Sequence, residues 1–199
     1  MKRTRLLFLL VLIALVRLTG STTAGPLDQP GYAKAFTCSA CHGFAGHSKS
    51  DTVPILAGAD AAYLKKALED YAAGRRTSPE MEPYAKMAMH LGVADVAGYF
   101  ATQKRTRTPL KVDAVAAARG KTAAAVCAAC HGAHGQGDAA KLVPRLAGQP
   151  AGYLANQIML FKQDRRSPGD ETLKAVKAMM RSVPDAAVGD LAAYYSSLK

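Results

Sequence analysis

The chain has 199 residues, 49% of them hydrophobic, with 7% aromatics, no tryptophan and a formal net charge of +11. That length holds one or two domains, and the apolar fraction can bury a core, which excludes a disordered chain. The basic residues are scattered and no aromatic platform accompanies them, which excludes a dedicated nucleic-acid binder.

Lys2, Arg3 and Arg5 precede an unbroken apolar run from Leu6 to Val16. Small residues follow, and Thr22-Thr23-Ala24 forms a cleavage site before Gly25. Residues 1–24 are therefore expected to be a signal peptide, which sends the mature chain to the periplasm. The run is short for a membrane span and Arg17 interrupts it, so an uncleaved anchor is the weaker alternative. Without the four basic residues of this segment the charge falls from +11 to +7. Such a surface suits an acidic partner or peripheral contact with an anionic membrane face, and equally a merely solubilising role.

Alanine is abundant and β-branched runs are few, which predicts helices throughout. A short helical segment, 31–37, leads into Cys38-Ser39-Ala40-Cys41-His42. Gly43 and Gly46 mark a loop, and Val53-Pro54-Ile55-Leu56-Ala57-Gly58 follows. Leu64, Leu68 and Tyr71 at helical spacing predict a helix over 59–73, and a closing helix is expected over 93–103. A polar stretch ending in Pro109 reads as a linker over 105–110, which bounds a first domain at 25–104.

The second domain, 111–199, repeats the first. An Ala-rich helix over 113–126 leads into Cys127-Ala128-Ala129-Cys130-His131. Gly132, Gly135 and Gly137 follow, then Val143-Pro144-Arg145-Leu146-Ala147-Gly148. Leu154, Ile158 and Phe161 predict a helix over 150–163, and the last helix is expected over 186–198. Tyr63-Leu64 returns as Tyr153-Leu154 and Arg75-Arg76 as Arg165-Arg166.

The two pentapeptides use all four cysteines. Two thiols at this spacing, followed at once by an imidazole, suit covalent haem attachment. The thiols bond to the porphyrin vinyl groups and the histidine takes one axial position on iron. A redox pair, a zinc site and a disulfide framework are the competing readings. None of them predicts the same pentapeptide twice. Two haem c groups are therefore expected on Cys38, Cys41, Cys127 and Cys130, with His42 and His131 on the irons.

The sixth ligand decides the chemistry. Sulfur raises the potential and closes the iron for electron transfer, whereas an open position admits substrates. Five of the seven methionines lie in two clusters, Met81, Met87 and Met89, and Met179 and Met180. Core packing is the plainer reading of most of them. His47 and His134 lie in glycine-rich loops and are expected to be exposed; His90 lies near the first methionine cluster and could form a bis-histidine site. No nucleophile–base pair or phosphate loop is evident, so the chain is not expected to be an enzyme.

With both CxxCHG motifs, both Pro-x-Leu-Ala-Gly loops and the closing stretches Val96-Ala97-Gly98-Tyr99-Phe100 and Leu191-Ala192-Ala193-Tyr194-Tyr195 in view, the mature chain resembles dihaem cytochromes of the cytochrome c-four group. It is also similar to the dihaem subunit of flavocytochrome c sulfide dehydrogenase. The resemblance implies an all-α chain of two tandem class I cytochrome c domains. It implies that the carbonyls of Pro54 and Pro144 accept from His42 and His131. In that group the ligand methionine precedes the closing helix's tyrosine by about eighteen residues, which falls on Met81, with Met87 and Met89 left for packing. In the second copy the same count falls on Val176, which cannot ligate. Met180 is the expected ligand there by its local sequence, with Met179 as the alternative.

The function so implied is one-electron carriage in a respiratory or related chain, with two-fold domain packing bringing the haems within exchange distance. The implied partners are a quinol-oxidising complex or dehydrogenase upstream and an oxidase or reductase downstream. The alternatives are the electron-accepting subunit of a dehydrogenase and a dihaem peroxidase.

Overall fold

The computed structural model describes residues 25–106 and 110–199. The expected signal peptide and linker positions 107–109 lie outside these residues. Within them every regular element is helical, and β pairing is confined to two isolated bridges, Arg76 with Arg166 and Asp138 with Val143.

The first half opens on a 3-10 turn over Pro26–Asp28, followed by a short helix, α1 (Tyr32–Ala35), a 3-10 turn over Phe36–Cys38, and α2 (Ser39–His42). The single helix expected over 31–37 is thus broken; a segment this short does not hold α geometry unaided and tightens at its end. The Asp60 side chain caps α3 (Ala61–Ala72) by accepting from the Tyr63 N–H at 2.7 Å, which moves the start inward from residue 59. Next come α4 (Met81–Leu91) and α5 (Val93–Thr102), joined by Gly92 at φ 108. The segment holding Met81, Met87 and Met89 was not anticipated to be helical.

The second half follows the same plan with α6 (Ala114–Ala123), α7 (Ala125–His131), α8 (Ala151–Lys162), α9 (Lys174–Ser182) and α10 (Asp185–Ser197). Asp113 caps α6 with bonds to the N–H groups of Val115 and Ala116. The helix expected over 113–126 divides at Ala124, whose N–H is the last to close onto α6.

Two equivalent cores result. Leu64, Val96, Tyr99 and Phe100 pack with Leu56 in the first, and Leu154, Leu191 and Tyr195 with Leu146 in the second. In each the Leu-Ala-Gly loop is fastened twice. Gly46 O accepts from Leu56 and Ala57, and Gly135 O from Leu146 and Ala147. Gly58 N–H donates to Phe100 O, and Gly148 N–H to Tyr195 O, both at 2.9 Å. Gly46, at φ 80, has no room for a side chain, because a Cβ would lie 2.8 Å from Ala57 N and 2.9 Å from Phe100. In the second half α6 crosses α10 at Gly120, where the same atom would lie 1.9 Å from Asp190 O.

The halves meet by reciprocal contacts. Thr77 N–H donates to Arg165 O at 3.2 Å and Ser167 N–H to Arg75 O at 2.5 Å. Arg76 Nη2 donates to Tyr153 Oη at 2.8 Å and Arg166 Nη2 to Tyr63 Oη at 3.0 Å. Equivalent residues exchange equivalent bonds, so the interface has a pseudo-two-fold axis. Gln157 Oε1 accepts from both arginines, at 2.6 Å from Arg76 Nη2 and 2.9 Å from Arg166 Nη1. The buried Gln149 side chain pairs with both polar groups of the Ile55 backbone at 2.9 Å. One departure has a plain cause. Pro150 stands where the first half has Asp60, so the Tyr153 N–H has no cap and donates instead to Asp51 O at 2.9 Å.

Candidate haem sites

Each CxxCH ends a helical turn that places both cysteines and the histidine close together. Gly43 at φ 75 and Gly132 at φ 79 stop those turns directly after the histidines. His42 Nδ1 lies 2.9 Å from Pro54 O, and His131 Nδ1 lies 2.9 Å from Pro144 O. A carbonyl can only accept, so each Nδ1 carries the proton and each Nε2 keeps its lone pair for a metal. Burial pushes the pKa of His42 down, against the bond to Pro54. Burial does the same at His131, helped by the charge of Arg166. Both shifts favour the neutral imidazole, the form a ligand must take.

The four cysteines are free of disulfides. Among the described residues no three His, Cys, Asp or Glu side chains converge on a metal site, so the zinc reading finds no ligand set. Burial raises the pKa of the Cys38 and Cys127 thiols, which disfavours the redox-active thiolate. The chemistry of the donors fits haem: paired thiols, a neutral imidazole with a free Nε2, and around them an apolar core. The buried Tyr99 Oη and Ser39 Oγ have no protein partner among the described residues.

The methionines are less symmetric. Met81 is the first residue of α4, half-buried, its N–H bonded to Ser78 O and Ser78 Oγ. Met179 and Met180 are half-buried in the last turn and a half of α9. Met81 starts its helix five residues after Arg76, whereas Lys174 starts α9 eight residues after Arg166. The closing helix is also longer, 13 residues against 10. That extra turn is why a count back from Tyr194 falls on Val176, within α9; the place equivalent to Met81 is near Leu173. Met180 is therefore not the positional counterpart of Met81.

Two side chains, Met89 and His47, depart from expectation. Met89 is 42% exposed and is not a core residue. His47 is half-buried, with Nδ1 3.1 Å from Thr106 Oγ1, because the end of the first half folds back over its loop. His90 is exposed at the end of α4, whereas Met81 begins that helix. His134 is exposed, as its loop suggested.

The family model described as cytochrome c matches residues 117–199. Over 96% of its length the chain is 32% identical to cytochrome c4 of Pseudomonas aeruginosa, covering 98% of that protein. The chain belongs to the cytochrome c4 family. Its fold agrees with the crystal structure of reduced recombinant cytochrome c4 from Pseudomonas stutzeri at a TM-score of 0.76, with 27% identity, over 85% of this chain and 97% of that one. It is also 33% identical to a thiosulfate dehydrogenase electron acceptor of Stutzerimonas stutzeri, over 82% of this chain and 80% of the relative. As a member of this family the protein is a dihaem c-type electron carrier of the periplasm and not an enzyme. Among the described residues no helix is long and apolar enough to cross a membrane.

The reciprocal arginine–tyrosine contacts were not read from the sequence. The repeated Arg-Arg and Tyr-Leu pairs were visible as repeats, and an equal offset of both was the available signal that they meet across an axis.

Proposed function

We propose that the chain passes single electrons between two six-coordinate haems, with His42 and Met81 on one iron and His131 and Met180 on the other, and Met179 as the alternative to Met180. The domains are 25–104 and 111–199, joined by 105–110. Haem supplies the reversible Fe(III)/Fe(II) couple. Cys38, Cys41, Cys127 and Cys130 tether it, and Pro54 and Pro144 orient the histidines.

The observation that carries this reading is the doubled site on one symmetric interface. Arg76 is 3% exposed and over the Tyr71 ring at 4.6 Å; Arg166 sits over Phe161 at 4.4 Å. Neither has a carboxylate partner among the described residues. Guanidiniums left without counter-ions between two haem domains suit the propionates of both cofactors. The interface then fixes the haems relative to each other and favours exchange between them.

A redox titration with spectra, on protein with Met81 and Met180 replaced singly, tests the ligands. Each replacement lowers one potential and removes one sulfur-to-iron charge-transfer band. A second reading, service as the electron acceptor of a dehydrogenase such as one acting on a sulfur compound, is favoured by the likeness to the Stutzerimonas thiosulfate dehydrogenase electron acceptor. A catalytic subunit that co-purifies in fixed ratio supports it. The upstream and downstream partners otherwise expected are a quinol-oxidising complex and an oxidase or reductase.

A further inference from the structure

A cleft of about 1130 Å³ lies beside the end of α10. Arg105, Lys121, Arg145, Tyr194, Ser196 and Lys199 with its terminal carboxylate contribute to its walls, and among the described residues no aspartate or glutamate side chain does. Arg105 Nη2 donates to Ala147 O at 3.0 Å, and Arg145 Nε donates to the same oxygen at 3.3 Å. Two guanidiniums thus converge on one neutral carbonyl. Burial, and then the charge of Arg145, push the pKa of Arg105 down to about 10. Arg105, Lys121 and Arg145 make no ion pair among the described residues. Like charges held this close without a counter-ion call for an anion.

Ser196 gives an independent indication. It lines the cleft, is 7% exposed, and its buried Oγ has no hydrogen-bond partner among the described residues. A buried hydroxyl without a partner is uncommon, and a bound water or ion beside it would complete its bonding. Arg145 uses one donor on Ala147, which leaves the rest of its fork for a ligand.

We propose that this cleft binds a free tetrahedral oxyanion of the phosphate or sulfate class, held by Arg105, Arg145 and Lys121 with the Ser196 hydroxyl. The planar forks match tetrahedral oxygens better than they match chloride. Arg145 directly follows Pro144, whose carbonyl holds His131. An anion here would add negative charge near the carbonyl that orients His131, and so would lower the potential of a haem held by that histidine.

The test is calorimetric titration of the dihaem protein with inorganic phosphate and with sulfate, against chloride at equal ionic strength, followed by redox titration in the same buffers. Saturable one-site binding is expected, with a lower potential at one haem. Arg145→Gln is expected to weaken binding by about tenfold or more, and Ser196→Ala by a smaller factor. Unchanged haem spectra establish that both variants are folded. Pull-down on phosphatidylglycerol vesicles that free phosphate reverses would support the phosphate chemistry and identify a lipid headgroup as its source. Equal response to chloride, or wild-type binding in both variants, overturns the proposal.

Discussion

Arg76 and Arg166 face each other across the pseudo-two-fold axis, their backbones joined in an antiparallel bridge and each guanidinium donating to a tyrosine of the opposite half. The bond partners are equivalent, Tyr153 and Tyr63, and so are the rings beneath, Tyr71 and Phe161. The two arginines are thus shared property of the domain pair. The two copies of the tandem duplication are joined at this contact.

Arg76→Met removes charge-assisted bonds to Tyr153 and Gln157 and leaves their oxygens to be resolvated. The expected loss is about 2–3 kcal/mol of stability, by denaturant unfolding of the dihaem protein. Arg166→Met is expected to do the same, and the double variant to lose less than the summed effects, because Gln157 Oε1 is common to both. Strict additivity would show that the arginines act separately.

Gly120→Ala tests the crossing of α6 and α10. A Cβ there meets Asp190 O at 1.9 Å, and backbone cannot yield as a side-chain tip can. Separation of the helices is expected to cost about 1–3 kcal/mol, read as a lower midpoint in guanidinium. Gly98→Ala, where no atom lies within 4 Å of the added Cβ, is the control and is expected to be neutral or slightly stabilising.

The same crossing predicts a pH dependence. Asp190 receives two bonds from Arg119, at 2.7 and 2.6 Å, and these hold its carboxyl below the usual aspartate value. A lowered folded pKa means stability that is present above the unfolded value and is lost as pH falls through the folded one. Wild type should therefore have a higher Tm than Asp190→Asn at neutral pH. The difference should vanish in acid, once the folded carboxyl is protonated. A gap that persists there would assign the effect to packing.

Much of the site was legible because its signals are local. Cys38 to His42 and Cys127 to His131 are contiguous words, and the Pro-x-Leu-Ala-Gly loops recur at a constant offset. The bonds from His42 to Pro54 and from His131 to Pro144 agree with what the family resemblance implied. What escaped the sequence depends on the two halves meeting. Arg76 carries no local sign that it will be buried against Gln157. Arg105 reads as a polar linker residue, yet its guanidinium lies between the equivalent carbonyls of Ala57 at 3.5 Å and Ala147 at 3.0 Å. The helix α4 is masked in the sequence by Pro83 in its first turn, a residue that marks a loop as readily as a helix start. The extra turn in α10 shifted the second ligand count for a reason that only element lengths disclose.

Spectra of the reduced protein under carbon monoxide, taken beside the single Met81→Ala and Met180→Ala variants, test the central claim most directly. If both irons are closed by sulfur, the native protein binds carbon monoxide at neither haem, and each variant opens one. Ready binding at both haems of the native protein would contradict the account. Binding at one native haem, with no further change in Met180→Ala, would remove Met180 from the second iron.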